Sequence, residues 1–312
     1  MPTIPRCEVL PIAEHRVSFR IDGIEKTRWH FGTNYPRPYF SPVNNSQGIS
    51  LTRMGHPGAP NHDHHQSVWF AHNKLLGIDF WSNNTDAHIR QVHWYVYEDG
   101  EDSATMAVRL DWFDGHDPKP LVEQDLIVII SPLDDGSYTL DLQSVFRPIA
   151  IEIEFQQTNF GFLAVRMAKS ISAHFGGGQL TGASGDKGEP QLFGKANKWM
   201  DYSGPVAFIE TTGDRNEMAS GITYFDHPHN PGHPAKWHVR EDGWMGASAC
   251  RDNGLVTSQA NPLRLRYLLH MHDGPLNRET AESVFVDWIK HPLLAVQKST
   301  RPHQQFEIVE VS

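Results

Sequence analysis

The chain has 312 residues and a formal net charge of −10 at pH 7, which argues against nucleic acid or an anionic membrane as its partner. Two cysteines, Cys7 and Cys250, exclude a disulfide framework, whereas nineteen histidines, which are bunched, indicate metal binding or acid–base chemistry. The N-terminus has no signal pattern and no run of about 18 apolar residues occurs, so we expect a soluble, cytoplasmic protein.

The first predicted elements are two short strands. Residues 17–24 and 26–31 alternate between apolar and polar side chains around Asp22–Gly23. Alternating runs on either side of a tight Asp-Gly turn are typical of a β-hairpin.

A histidine-rich loop follows, because the glycines and prolines of residues 55–60 oppose regular structure. It contains the run His62, Asp63, His64 and His65. Imidazole and carboxylate suit zinc, manganese, iron or nickel, so a divalent metal bound by His62, His64 and His65, joined by His227 or His233, is one hypothesis. The other is a set of hydrogen-bonded histidines in a polar pocket.

Residues 91–146 predict a β-meander. Four strand-like runs are separated by turns at Asp99–Gly100, Asp114–Gly115 and residues 134–136. No helical pattern interrupts them, so the connections are those of antiparallel neighbours.

The glycine-rich segment 175–204 predicts a long loop. It contains neither the dinucleotide fingerprint nor the phosphate loop, so we expect no nucleotide cofactor. Phe193, Trp199 and Tyr202 beside polar residues are typical of a sugar-binding cleft, where aromatic rings cover the C–H faces of a sugar. Aromatic anchors that only hold the loop are the alternative.

Residues 221–240 begin as a strand, pass through a rigid loop with three prolines, and return to a strand. Side chains alternate along a strand, so His238 and Arg240 share one face. The loop also carries Asp226 and several histidines. Acid–base or metal chemistry is one interpretation, and a solvent-exposed turn is the other.

Residues 277–290 form the one predicted helix, because Ala281, Val284, Phe285 and Trp288 recur at helical spacing. The hairpin, the meander and the absence of alternating strands and helices predict an all-β protein. We expect one large antiparallel β-sandwich domain over residues 1–312, with a single helix near the C-terminus.

Several motifs together resemble the bacterial PmoA-like family of unknown function (DUF6807). They are Arg37-Pro38-Tyr39, Thr52-Arg53, His62 to His65, Val68-Trp69-Phe70, Asp79-Phe80-Trp81, Gly194-Lys195 through Trp199, Asp201, Tyr202 and Gly204, and Asp226-His227-Pro228 through Arg240. The chain departs from the family pattern at Asn61, Asp63, Gln66-Ser67 and Glu241-Asp242-Gly243, where the pattern has Asp, Pro, Arg-Gly and Tyr-Gly.

This resemblance implies a fold like the galactose-mutarotase supersandwich and a setting in carbohydrate catabolism. We therefore expect a carbohydrate-active lyase, hydrolase or epimerase that acts on a glycoside or an oxidised (3-keto) sugar. A non-catalytic sugar-binding or accessory protein is the alternative, and a metal-dependent oxygenase is a weaker one. The expected partner is a small sugar, with no nucleic acid and no membrane, and a homo-oligomer is left open.

The expected mechanism brings the two histidine-rich loops into one cleft, with His64 or His65 near His238 and Arg240. Imidazole can take and return a proton near neutral pH, and a guanidinium can stabilise an oxyanion. The expected catalytic residues are His64, His65, His238 and Arg240, with Asp226 and Glu189 in reserve. The expected sugar-binding residues are Arg53, Trp81, Lys195, Trp199, Tyr202, His227, Asn230 and Trp237, and the expected metal ligands are His62, His64, His65 and His233.

Overall fold

The computed structural model describes residues 4–56, 58–210 and 212–311. Two eight-stranded antiparallel sheets pack against each other, which confirms the expected all-β sandwich. Within the described residues, no helix is long and apolar enough to cross a membrane.

The first sheet holds, in spatial order, β1 (Cys7–Ile12), β2 (Arg16–Ile21), β3 (Ile24–His30), β4 (Tyr39–Val43), β5 (Val68–His72), β11 (Gly161–Arg166), β16 (Trp244–Ala247) and β15 (Trp237–Arg240). The second holds β12 (Gln179–Gly182), β13 (Trp199–Ile209), β14 (Arg215–Asp226), β18 (Leu263–Asp273), β9 (Tyr138–Pro148), β8 (Val122–Pro132), β7 (Ala104–Phe113) and β6 (His88–Glu98). Two small sheets pair β10 (Glu152–Phe155) with β17 (Leu255–Ser258), and β19 (Leu293–Lys298) with β20 (Phe306–Val311).

The hairpin and the meander form where the sequence predicts them. Asp22 and Gly23 both have positive φ angles, of 53° and 75°, as the favoured two-residue hairpin turn requires. Strands β6 to β9 are consecutive neighbours in the second sheet. On β9, Tyr138, Leu140 and Leu142 point into the apolar core between the sheets, as period-two alternation requires.

The predicted C-terminal helix is α2 (Arg278–Trp288), and its apolar stripe packs on the outer face of the second sheet. The side chain of Asn277 caps the helix by accepting hydrogen bonds from two backbone N–H groups, those of Glu279 and Thr280. The prediction of a long loop at 175–204 is wrong, because this segment contains β12, the start of β13 and the short helix α1 (Glu189–Leu192). A 3-10 helix, Pro60–His62, lies in the first histidine-rich loop.

The second histidine-rich loop, residues 227–236, connects the end of β14 in the second sheet to the start of β15 in the first sheet. The Asp226 carboxylate, only 1% exposed, holds this loop together through its hydrogen bonds. One of its oxygens accepts from Asn230 Nδ2 at 2.7 Å, and the other accepts from the Ala235 N–H at 2.9 Å and lies 2.9 Å from His233 Nδ1. A buried carboxylate with three partners therefore sets where β15 begins.

We expect Asp226→Ala to lower the free energy of unfolding by about 3–5 kcal/mol, because it leaves several buried polar groups unpaired. Urea unfolding followed by circular dichroism measures the change. Asp287→Ala, which removes an exposed carboxylate near Lys290 on α2, is the control and should change stability by about 0.5 kcal/mol or less. A loss at Asp226 no larger than that of the control contradicts the structural role given to this carboxylate.

Candidate active site

A cavity of about 580 Å³ lies on the outer face of the first sheet, beneath the first histidine-rich loop. Its lining contains imidazole, guanidinium and aromatic side chains and one carboxylate. The lining residues are His62, His64, His65, Asn73, Trp81, Ser82, Phe160, Arg166, His238, Arg240, Asp242 and Trp244.

Strand register explains why the sheet offers space here. Ala164 pairs with Gly246, and Gly246 pairs with His238, so a row of small residues ends at an imidazole. In the next row on the same face, Trp244 pairs with both Arg166 and Arg240. Between these rows, side chains point the other way, into the core. The outer face of the sheet thus carries two guanidinium groups and an imidazole beside the small residues Ala164 and Gly246, which leave space above them.

The first histidine-rich loop is held over this face by a buried arginine. Arg37, 1% exposed, donates from Nη1 to the carbonyl oxygen of His64 at 3.3 Å and from Nη2 to that of Ser82 at 2.7 Å. Within the loop, the ring of His65 lies 4.5 Å from that of His64, and it lies 4.7 Å from that of Trp244 on the sheet. The loop therefore presents its imidazoles to the cavity.

His65 and His238 approach the same indole from different segments. The ring centroid of Trp244 lies 4.7 Å from that of His65 and 5.9 Å from that of His238. His238 also contacts the edge of Phe160, at 5.0 Å between centroids. The structure thus brings the first histidine-rich loop and His238 of β15 to one cavity, together with Arg240.

A partly buried ion pair joins the sheet to the turn between β15 and β16. Arg166, which is fully buried, donates from Nη1 to Asp242 Oδ1 at 2.7 Å. The other oxygen of Asp242 lies 2.9 Å from His56 Nε2, and Arg53 Nη2 donates to the Asp242 carbonyl oxygen at 2.8 Å. Burial alone raises the pKa of Asp242, but the hydrogen bond and charge of Arg166 outweigh it and lower the pKa below its usual value.

The cavity keeps its imidazoles neutral at pH 7. Burial, and then the charge of Arg37, lowers the pKa of His64 to about 4. Burial, and then the charge of Arg240, lowers the pKa of His238 to about 4. The pKa of His65 is lowered further by burial and by Arg166. Neutral imidazole can accept a proton or donate a hydrogen bond.

Glu189 orients Arg240. Its Oε1 lies 2.9 Å from Arg240 Nη1, and its Oε2 accepts from the Glu241 N–H at 2.8 Å. The Arg240 side chain is 52% exposed and reaches the rim of the cavity. Glu189 does not line the cavity, so the structure places it behind Arg240 as a positioning group.

Seven of the eight residues expected to bind sugar do not line the cavity: Arg53, Lys195, Trp199, Tyr202, His227, Asn230 and Trp237. Trp199 and Trp237 are fully buried, with indole N–H groups that donate to Glu282 and to the Asn197 carbonyl oxygen. Tyr202 is buried and donates to the Glu241 carbonyl oxygen at 2.8 Å. Lys195 is exposed and lies outside the lining. Of the aromatic residues expected to bind sugar, Trp81 lines the cavity.

The four polar residues predicted in the crossing loop lie in a separate cluster. Asp226, Asn230 and His233 form the network that closes the loop. His227 packs its ring against the edge of Trp288 on α2, and burial lowers its pKa to about 3. None of the four lines the cavity, and the catalytic role expected of Asp226 and the metal-ligand role expected of His233 stay predictions.

The expected metal ligands of the first loop do lie together. The ring of His62 is 5.7 Å from that of His64 and 5.0 Å from that of His65. In the part of the chain that the structure describes, no group of three or more His, Cys, Asp or Glu residues is arranged to hold a metal ion. We therefore assign no step to a metal.

Sequence reasoning missed six of the twelve side chains that line the cavity: Asn73, Ser82, Phe160, Arg166, Asp242 and Trp244. One of them, Arg166, could have been recognised from the sequence. Arg166 ends an otherwise apolar strand whose residues are all buried, and a buried guanidinium requires a partner. That partner, Asp242, is distant in sequence and only the fold identifies it.

We expect the imidazoles of His64 and His238 to titrate near pH 4 in the folded protein, below the ordinary value of 6.5. The unfolded chain binds these protons first, so stability falls as the pH drops from about 6.5 to about 4 and these groups do not change it above that range. Histidine-ring NMR measures the midpoints, with His64→Gln and His238→Gln to assign them. Midpoints at pH 6 or above contradict the desolvated site.

The comparisons with known proteins identify a family and no activity. No curated protein matches the chain. Two solved structures similar to it are 4-alpha-glucanotransferase from Thermococcus litoralis and the GalM/aldose epimerase homologue from C. elegans, each 8% identical over 86% of this chain. Their TM-scores are 0.29 and 0.32, and the match covers 40% and 99% of those chains. Likenesses this loose carry no argument about activity, and the chain spans less than half of the glucanotransferase.

One family model matches residues 16–286, under the description "Family of unknown function (DUF6807)". The description gives no PmoA-like link, and that link stays a prediction. Because the match extends over most of the 312 residues, the chain belongs to this family of unknown function.

Proposed function

We propose that the protein is a carbohydrate-active enzyme that removes and returns protons at a sugar in the cavity on the first sheet. The observation that carries the proposal is the convergence of His64, His65 and His238, all neutral at pH 7, around one aromatic-lined cavity that also contains two arginines. The cytoplasmic location expected from the sequence belongs to the same proposal.

The aromatic lining supports a sugar as the ligand. Trp81 lies 5.5 Å from Trp244 and 5.6 Å from Phe160 between ring centroids, so three rings form one wall. Aromatic faces cover the apolar C–H surface of a sugar, while a few polar groups fix its hydroxyls. A volume of about 580 Å³ accommodates one or two sugar rings.

The chemistry supported best is proton abstraction from carbon. A neutral imidazole takes the proton beside a carbonyl group, and the electron pair moves to the carbonyl oxygen as an enolate. The guanidinium groups of Arg166 and Arg240 stabilise that oxyanion. The imidazolium formed in this way gives its proton to a leaving oxygen as the electron pair expels it, which gives elimination. Return of a proton to the opposite face of the carbon, which gives an epimer, requires the second imidazole to carry a proton gained from solvent.

The carboxylates argue for a lyase or epimerase over a hydrolase. Glycoside hydrolysis generally uses two carboxyl groups, one as acid and one as nucleophile or base. Among the described residues that line the cavity, Asp242 is the one carboxylate, and its ion pair with Arg166 keeps it ionised. Imidazoles are therefore the groups free to exchange protons.

We expect His238→Gln to lower turnover by about 10²–10⁴-fold and to leave sugar affinity within a few-fold of the parent, because the change removes a proton acceptor but keeps a polar side chain. Incorporation of deuterium from D₂O into oxidised and 3-keto glycosides, followed by NMR, measures proton abstraction without knowledge of the final product. His303→Gln, at an exposed position in a distant segment, is the control and should retain full exchange.

Two outcomes contradict this proposal in different ways. Unchanged exchange in His238→Gln removes His238 from the chemistry. Sugar binding in the cavity with no exchange and no product across the panel favours the alternative, a sugar-binding or accessory protein, because a binding module does not need titrating groups against its ligand.

A divalent metal, zinc, manganese, iron or nickel, stays a prediction of the histidine-rich sequence. If His62, His64 and His65 bind one, elemental analysis of protein purified without added metal will show a stoichiometric amount, and the triple variant with Gln will lose it. Metal-free protein that keeps full activity in chelator contradicts the hypothesis. A stoichiometric redox metal is also what the oxygenase alternative requires.

A further inference from the structure

The lining of the cavity contains buried indole and guanidinium donors that have no hydrogen-bond partner among the described residues. Several buried side-chain nitrogens of its lining have no hydrogen-bond partner among the described residues. They are His65 Nδ1, Trp81 Nε1, Arg166 Nε and Nη2, His238 Nδ1 and Trp244 Nε1. Indole and guanidinium nitrogens can only donate, so these groups require a ligand or water rich in acceptors.

The charges around the cavity are also unbalanced. Three guanidinium groups, those of Arg53, Arg166 and Arg240, surround the turn between β15 and β16. Two carboxylates face them: Asp242 pairs with Arg166, and Glu189 pairs with Arg240. Arg53 contacts a carbonyl oxygen of this turn, and its Nε and Nη1 have no hydrogen-bond partner among the described residues. One positive charge is therefore left without a counter-charge.

Arg53 does not line the cavity, and the sheet places the other two guanidinium groups at one end of it. Arg166, Trp244 and Arg240 are neighbours in one row, and adjacent strands lie about 4.8 Å apart. We propose that the substrate is a sugar acid, whose carboxylate binds at this row beside Arg166 and the Trp244 indole while its ring lies against Trp81 and Phe160. This inference rests on the proposed function and names its substrate class.

A carboxylate fits better than a phosphate group for two reasons. A single uncompensated positive charge matches a monoanion, whereas a phosphate monoester carries close to two negative charges at pH 7. The planar fork of a guanidinium also matches the two oxygens of a carboxylate.

A bound carboxylate also makes the cavity imidazole a stronger base. A nearby negative charge stabilises imidazolium and raises the pKa of His238 from about 4 toward neutrality, where a general base works best. The carboxylate of a sugar acid acidifies the adjacent C–H, so binding and proton abstraction use the same group.

The test compares matched ligands that differ in one group. Methyl glucuronide is titrated against methyl glucoside, and methyl galacturonide against methyl galactoside, by calorimetry and by the fluorescence of the cavity tryptophans. Glucose 6-phosphate tests the other anion. We expect each acid to bind about ten-fold or more tightly than its neutral partner, and more tightly than the phosphate.

Arg166→Gln should abolish the preference for acids over their neutral partners, while Arg166→Lys should retain part of it. If Arg166→Gln does not fold, Arg53→Gln, at a half-buried position, tests the same charge. Arg215→Gln, an exposed arginine on the second sheet, is the control and should keep the full preference.

The outcomes separate this inference from the proposed function. Equal or tighter binding of neutral sugars overturns the sugar acid and leaves the sugar enzyme standing. Tighter binding of the phosphate also overturns it, because the anion is then of another class. No binding of any sugar, with no deuterium exchange, overturns both.

Discussion

The ion pair between Arg166 and Asp242 is the interaction on which the candidate site depends. Arg166 is fully buried at the end of β11, and its partner lies on the turn between β15 and β16. The same carboxylate contacts His56 of the histidine-rich loop, so one group ties two strands and the loop together. Separating Arg166 from Asp242 leaves a buried charge without a partner, which costs free energy. The pair therefore holds the strands and the loop around the cavity in one arrangement.

The histidines divide into two kinds that the sequence does not distinguish. His64, His65 and His238 line the cavity, whereas His227 and His233 lie at the crossing between the sheets and hold it in place. The second kind still serves the site, because the crossing determines where β15 begins and thus where His238 lies. A stiff loop with many imidazoles can therefore be positioning structure rather than chemistry.

Local patterns predicted the hairpin at Asp22–Gly23, the meander and the helix, because turn chemistry and side-chain periodicity act over a few residues. The fate of individual aromatic residues could not be predicted in this way. Trp199 packs under α2, while Trp81 lines the cavity, although both lie beside polar residues. Alternation shows which residues share a face but not what covers that face. The same limit concealed the pairing of Arg166 with Asp242, which are 76 residues apart.

The two outer faces show why the site lies where it does. The space between the sheets is filled by apolar side chains, so a polar ligand can be accommodated only on the outside of the sandwich. On the second sheet, α2 covers Trp199, Phe225 and Leu268 with Phe285 and Trp288, and that surface becomes a small core. On the first sheet, the covering element is a loop of imidazoles, and the floor includes Ala164 and Gly246. The apolar side chains of α2 bury these residues of the second sheet, whereas a polar cover over small residues leaves a cavity with unpaired donors on the first sheet.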